Sequence, residues 1–188
     1  MKLDLQTDRL QISPLQATDL DSFVRYRQQP EVARFQSWDT DFSKEQGLTL
    51  IQSQADISFP PPGEWLQLGV RNKSTGELLG DLALHSLDRG NCYEIGFTID
   101  LKHHGKGFGR EAAARLLTYL FDERSAELVE ANTDSRNVAS IRLLNSLGLS
   151  QQANRSWVEE FKNETVTVCV FELNRTDWAL ASSHPKGQ

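Results

Sequence analysis

The sequence predicts a mixed α/β fold: an antiparallel N-terminal meander, a later βαβ crossover, and helices on both faces of one sheet. Three observations carry that prediction. Residues 65–99 hold three period-two segments joined by short turns, the mark of a meander. A glycine-rich turn then leads into a 3.6-period apolar stripe and a further strand, the mark of a crossover. Helical segments lie both before the meander and after it, enough to cover two faces.

The elements follow in order. A first strand is expected over residues 10–13, stopped by Pro14, which lacks an N–H for a ladder. Thr18 opens a helix, with Asp21 three residues on as a capping pair. Ser43 opens a second, where Gln46 completes a capping box and Leu48, Ile51 and Ala55 share a face. The run Phe59-Pro60-Pro61-Pro62-Gly63 breaks the chain. Residues 65–71 alternate with Leu66, Leu68 and Val70 on one side, 72–76 is a turn by composition, and 78–85 return. After Asp88-Arg89-Gly90-Asn91, residues 92–99 put Tyr93, Ile95, Phe97 and Ile99 on one face and Glu94, Gly96 and Thr98 on the other. Residues 110–123 carry a stripe of Ala113, Leu116, Leu117, Leu120 and Phe121. A strand over 128–133 precedes a helix over 137–147, with Ile141, Leu144 and Leu147 inward and Gly148 at C′. Strands over 157–161 and 165–173 close the chain around Lys162-Asn163-Glu164. Residues 1–174 read as a single domain and 175–188 as a C-terminal tail, partly disordered.

The chain's 188 residues suffice for a core that needs no staple. A net charge of −6 argues against binding nucleic acid by neutralising phosphates and favours cationic partners. Cys92 and Cys169 are far apart and form no C-x-x-C, which excludes a zinc ribbon, a redox motif and a disulfide framework. His85, His103, His104 and His184 have no metal-ligand spacing, so no metal is expected. The opening Met1-Lys2-Leu3-Asp4-Leu5-Gln6 is too polar for a secretory signal. No apolar run approaches the roughly 18 residues of a membrane span. A cytoplasmic protein with no membrane contact is expected.

The informative segment is His103-His104-Gly105-Lys106-Gly107-Phe108-Gly109-Arg110. A strand runs through glycines into a helix start, where unpaired N–H groups and the dipole's positive end welcome an anion, and Lys106 and Arg110 add charge. Gly109 is followed by Arg110-Glu111, so the Walker A pattern fails; G-x-G-x-G in mid-chain fails the Rossmann spacing. A P-loop or Rossmann-type nucleotide binder is thereby disfavoured, and a tight turn without ligand is the bland alternative.

With these residues in view, the chain resembles the GNAT superfamily of acetyl-CoA-dependent N-acetyltransferases over about residues 10–173. Their pyrophosphate loop, Q/R-x-x-G-x-G/A, is matched by His104-x-x-Gly107-x-Gly109, with His in place of Gln or Arg. The segment from Asn137 through Ser140 to Gly148-Leu149 is similar to the N-x-x-S-x-x-x-x-x-x-x-G-F helix of the ribosomal-protein alanine/serine N-acetyltransferase (Rim-type) branch. Thr7-Asp8-Arg9-Leu10, Glu94-Ile95-Gly96-Phe97 and Val129-Glu130-Ala131 are similar to that branch too. The resemblance implies acetyl-CoA bound by Phe97, Ile99, His104, Gly105, Lys106, Gly107, Phe108, Gly109, Arg110, Asn137 and Ser140.

An amine must be neutral to attack a thioester, so a positioned base helps. Glu94, on the polar face just before the loop, is the first candidate and Glu160 the second; each has a solvated surface charge as its plain alternative. The resemblance implies an oxyanion donor on the strand of Glu94, with Gly96 and Phe97 both open. It also implies a tyrosine acid on the helix 137–147, where Leu144 stands instead. Ser140, which a helix-capping role would equally explain, would then serve the leaving sulfur. Trp38, Phe35 and Phe59 are candidates for the acceptor mouth. The expected activity is acetyl transfer to a primary amine, most naturally a protein N-terminal α-amine on a basic ribosomal protein. The alternatives are an aminoglycoside or polyamine acceptor, or a coenzyme A-binding module with weak catalysis. A monomer or homodimer is expected.

Overall fold

Nine strands form one mixed sheet in the computed structural model, which describes residues 2–183. They are β1 (Leu5–Gln6), β2 (Leu10–Pro14), β3 (Trp65–Asn72), β4 (Leu78–Ser86), β5 (Cys92–Ile99), β6 (Leu128–Asp134), β7 (Ser150–Gln151), β8 (Trp157–Phe161) and β9 (Glu164–Asn174). Their spatial order is β1-β2-β3-β4-β5-β6-β9-β7, with β8 on the first half of β9. Among the described residues, only β5 and β6 pair in parallel. The alternation in residues 65–99 has its expected outcome: Leu66, Leu68 and Val70 are fully buried and Tyr93 and Ile95 nearly so.

The helices are α1 (Leu20–Arg27), α2 (Pro30–Ala33), α3 (Lys44–Ser53), α4 (Phe108–Thr118), α5 (Val138–Ser146) and α6 (Arg175–Ser183). On one face α4 buries Ala112, Ala113, Leu116 and Leu117, and a π-helical turn over Tyr119–Glu123 extends the stripe through Leu120 and Phe121. An isolated helix of this length is marginal. Burying each large apolar side chain contributes roughly 2 kcal/mol, so packing rather than propensity holds α4. The opposite face carries a smaller core, with Phe23, Tyr26, Val32, Ile51 and Leu78.

Several boundaries differ from the expectation, each for a physical reason. Thr18 is not the cap of α1. A 3₁₀ turn over Ala17–Asp19 precedes it, and the Gln16 N–H donates to the Asp19 carboxylate at 2.7 Å. Asp19, not Asp21, turns inward because buried Arg71 grips it with Nε (3.0 Å) and Nη2. Asp21 is exposed and pairs with Lys44. The Ser43–Gln46 box forms as expected (3.1 and 2.6 Å), but Ala55 lies beyond α3 and is exposed. β1, β7 and α2 are too short to show a period. Residues 175–183 are not a tail: α6 returns to the fold, with Trp178 stacked on Phe121 at 5.0 Å and 14°. Residues 184–188 lie outside the described residues.

Two features tie the face opposite α4 together. The turn of the β8–β9 hairpin has Lys162 and Asn163 at φ 51° and 62°. Lys162 Nζ donates to the carbonyls of Ala33 (2.8 Å) and Trp38 and pairs with Asp39 at 3.0 Å. Beneath α1, the Tyr26 hydroxyl donates to Asp81, and the Arg27 guanidinium lies over the rings of Trp38 (3.6 Å) and Phe23 (4.1 Å). Burial pushes the Asp81 carboxyl up despite the Arg27 charge.

The β3–β4 register slips by one between Val70↔Gly80 and Arg71↔Leu78. Leu78 and Leu79, beside this bulge, pack into opposite cores as successive strand residues do. Next to it a Cβ on Gly80 would lie 2.1 Å from the Thr98 carbonyl oxygen on β5. Gly80→Ala is expected to cost about 3 kcal/mol by overpacking. That corresponds to a melting temperature lower by roughly 6–12 °C in a chain of this size. Calorimetry checks it, and an unchanged melt would show that β4 and β5 have room to part.

Candidate functional site

β5 and β6 pair over only three positions, Cys92↔Leu128, Tyr93↔Val129 and Glu94↔Glu130. Beyond Glu94 they part, β5 staying with β4 and β6 with β9. The Asp100 N–H bonds the Leu79 carbonyl and the Cys92 carbonyl accepts from Leu87. Strand alternation therefore turns the peptide groups of even-numbered β5 residues toward β4 and those of Phe97 and Ile99 into the gap. Of the two open oxyanion candidates, the Gly96 N–H belongs to the meander and the Phe97 N–H faces the opening.

A cleft of about 620 Å³ runs through this gap. The glycine loop and α5 wall one end, and Val32 and Phe35 of the α2 region the other. Gly105 and Gly107 adopt φ of +73° and +79°, and Gly107 caps α4. Their N–H groups, and that of Lys106, have no backbone acceptor among the described residues; the first turn of α4 adds more. Gly109 does a different job. A Cβ there would lie 3.3 Å from both Ile99 and Leu143, so its absence lets α4 start hard against β5 and α5.

Around this backbone cradle the side chains do unequal work. Arg110 Nη2 donates to the Ser146 carbonyl across the cleft at 3.3 Å. His104 lines the cleft, but its Nε2 lies 2.8 Å from the Ile99 carbonyl oxygen, so the ring pins the loop to β5. Lys106 does not line the cleft; its ammonium bonds the Lys102 carbonyl at 3.0 Å. Phe97, Ile99, Phe108, Asn137 and Ser140 all do line it. Asn137 Oδ1 accepts the Ser140 N–H at 3.1 Å as the cap of α5. The Ser140 hydroxyl keeps no protein partner among the described residues.

The loop hangs between two carboxylates. Asp100, fully buried at its side chain, accepts from Arg25 Nη2 (2.8 Å) and Gln29 Nε2 (3.1 Å). Glu111 accepts from Thr7 Oγ1 (2.5 Å) and Arg9 Nε (2.7 Å). Burial pushes both carboxyls up, but these hydrogen bonds and charges outweigh it and hold both below the ordinary range.

Glu94 does not line the cleft; it stands where the strands begin to part, on the sheet face opposite α4. Asn132 Nδ2 donates to its Oε1 at 2.8 Å, and His85 Nδ1 lies 3.3 Å from its Oε2. Glu160 is exposed on β8 and bonded to Thr165. Leu144 is fully buried in the main core, and Leu143 is the leucine of α5 that lines the cleft. A tyrosine in the place of Leu144 would enter the core. Of the three aromatic candidates only Phe35 reaches the cleft. Trp38 covers Arg27, and Phe59 packs edge-on against Tyr93 in the main core. Sequence reasoning missed His85, Asn132 and Trp65, whose proximity depends on strand register.

The fold recurs in known proteins. The acetyltransferase (GNAT) domain family matches residues 9–150. The N-acetyltransferase p20 of Bacillus licheniformis, itself uncharacterized, is 29% identical over 176 residues, covering 93% of this chain and 98% of that protein. Two Vibrio cholerae structures share the fold. One is provisionally described as a ribosomal-protein-serine acetyltransferase (TM-score 0.76, 23% identity, 93% of this chain and 99% of the other). The other is a spermidine N-acetyltransferase in complex with CoA and spermine (TM-score 0.78, 17% identity, 92% and 99%). The chain belongs to the GNAT acetyltransferase family and is an acetyl-CoA-dependent acyltransferase. No described helix is long and apolar enough to cross a membrane.

The two anchors have a pH signature. A carboxyl held below its ordinary value stabilises the fold fully above about pH 4, and that contribution is lost as pH falls through the folded value. Asp81, held above its ordinary range, acts in the opposite sense. Asp100→Asn should melt lower than wild type at neutral pH, and the two melting temperatures should converge below about pH 4. Parallel curves in acid would remove Asp100 from the acid response.

Proposed function

We propose that this acyltransferase acetylates a protein N-terminal α-amine of the ribosomal-protein type, with acetyl-CoA as donor. The parting of β5 and β6 beside Glu94 is the observation that carries the proposal. The glycine loop and the Asn137 cap border the cleft, and Glu94 stands where it begins. The loop fits a pyrophosphate: unpaired N–H groups, two left-handed glycines and the dipole of α4 converge there. Gly105, Gly107, Phe108, Gly109 and Arg110 would hold it, with Ile99, His104 and Asn137 along the rest of the cleft and Lys106 adding charge from outside. Bound acetyl-CoA supplies an acyl thioester.

The chain's own groups supply the rest. The Phe97 N–H donates to an acyl oxygen as that oxygen gains negative charge, where a fixed donor is most effective. Glu94 takes the proton of an acceptor ammonium. An α-amine has a pKa of about 7.7–8.0, so a carboxylate base suffices near neutrality. The free hydroxyl of Ser140 donates a hydrogen bond to the departing sulfur.

The acceptor class draws support from charge pairing around Glu94. Glu130 is paired with Arg89 and Arg155, Glu172 with Arg155, and Asp134 and Glu164 with Arg136. Where the strands part, Glu94 offers one carboxylate to one ammonium; Glu31, on the cleft wall at the α2 end, is the second that a longer polycation would need to reach. The Rim-type similarity of residues 137–149 points the same way.

Acetyl transfer to peptides with free N-termini, spermidine and an aminoglycoside tests the acceptor. Peptides are expected to turn over fastest; preference for spermidine would replace this reading, and no turnover with tight CoA binding would leave a binding module. Glu94→Gln should lower kcat/KM about 100-fold near neutrality. The loss should shrink as pH rises and the amine deprotonates unaided, with CoA affinity unchanged. A wild-type rate would hand the role to Glu160 or solvent.

Ser140→Ala separates chemistry from capping. Its N–H already receives the Asn137 cap, so removing the hydroxyl should leave the melting temperature and CoA affinity in place while kcat falls. A stability loss of roughly 0.5–2 kcal/mol, as for a lost cap, with kcat preserved would reverse the assignment.

A further inference from the structure

Trp65, His85 and Glu94 are successive register partners on β3, β4 and β5. One row across the meander thus carries an indole, an imidazole and a carboxylate. The Trp65 and His85 rings are stacked, with centroids 4.4 Å apart and planes 12° apart. His85 Nδ1 lies 3.3 Å from Glu94 Oε2, while Asn132 occupies Oε1 at 2.8 Å. His85 Nε2 has no protein partner among the described residues. On the other side of Glu94 the row continues into Glu130 and Glu172. Both are already paired, Glu130 with Arg89 and Arg155 and Glu172 with Arg155. Neither offers an outlet for a proton placed on Glu94.

We propose that His85 is a proton relay that empties Glu94 into solvent past Trp65. The inference rests on Glu94 as the base. The acceptor ammonium loses one proton to Glu94 Oε2, breaking an N–H bond and forming an O–H bond. Glu94 passes that proton to Nδ1 of neutral His85, and the imidazolium gives its Nε2 proton to water or a buffer base. Exchange with water then restores the starting tautomer, so one proton has left the amine and one has entered solvent. The parts suit the task. Histidine gains and loses a proton near neutrality. Between them, the carboxylate and the electron-rich indole face accommodate an imidazolium. Glu94 and His85 are equally shielded, 18% and 19% exposed at their side chains, and the row reaches solvent at exposed Trp65, on which His85 stacks. The 3.3 Å contact is slack, as catalytic hydrogen bonds often are before substrate binds. His85 acts through Glu94 and is a positioning residue.

The test compares His85→Asn, whose side-chain amide can bond Glu94 from near the Nδ1 position but cannot carry a proton, with His85→Ala. Acetyl transfer to the best amine is measured in dilute buffer. Both variants should lose tenfold or more in kcat/KM, hold wild-type CoA affinity, and regain rate with added imidazole, more so for His85→Ala. If His85→Ala melts early, His85→Asn carries the comparison, because it keeps the bond to Glu94. A His85→Asn enzyme with wild-type kcat/KM and pH profile overturns the relay, as does a loss that neither imidazole nor buffer relieves. Glu94→Gln separates the two levels. If that variant is slow and His85→Asn is not, the relay alone fails; if Glu94→Gln is itself unaffected, the base assignment fails and the relay with it.

Discussion

Almost everything around the cleft depends on a sheet that stops pairing halfway along two neighbouring strands. β5 and β6 run in parallel for three residue pairs and then part. Parting leaves backbone donors and acceptors of β5 without a ladder, an expense a buried sheet ordinarily avoids. The surroundings limit it. β4 and β9 hold the outer edges of the two strands. Gly80 lets β4 press against β5 at the bulge. The His104 ring covers the Ile99 carbonyl, and the remaining groups face a cleft where a ligand or water satisfies them.

The loop that fills the end of the gap is held from outside its own segment. Its two carboxylate anchors are gripped by Arg25 and Gln29 of the α1–α2 region and by Thr7 and Arg9 before β2. The buried Arg71–Asp19 pair fixes the start of α1 on the sheet. A charged pair this deep gives little net stability over an apolar substitute, but losing one partner is costly. Its value lies in setting where α1, and so Arg25, stands.

Much of this was legible in residue order. Alternation in 65–99 showed the meander, and three glycines in five residues showed the loop whose backbone N–H groups are left without backbone acceptors. Asn137 and Ser140 stood out through the resemblance of their helix to the Rim-type branch, and the structure joins them as cap and capped. What remained hidden is whatever needs register or parity. Nothing local says that Trp65, His85 and Glu94 lie in one row, or that the Phe97 N–H rather than that of Gly96 meets the gap. Lys106 looked like a phosphate ligand because charge beside glycine is visible in a sequence, whereas the carbonyl that claims its ammonium is not. Leu144 was legible as an inward residue of its stripe and is buried in the core, whereas that Leu143 lines the cleft was not. Arg175–Ser183 looked like a tail because the ring that Trp178 stacks on lies far away in the sequence.

The Lys162 clasp divides the molecule's labour along its chain. The loop, the Phe97 donor and the α5 cap all fall within residues 97–146, one uninterrupted stretch. The opposite mouth is walled by α2, and the hairpin tip clasped to it comes from the other end of the chain; the two meet where Lys162 grips the Ala33 and Trp38 carbonyls. Change in α2 or at the hairpin tip can therefore reshape that mouth without altering residues 97–146, so long as the Thr7, Arg9, Arg25 and Gln29 contacts that hold the loop are kept. An architecture partitioned this way lends itself to lineages that keep one acyl donor and exchange recipients.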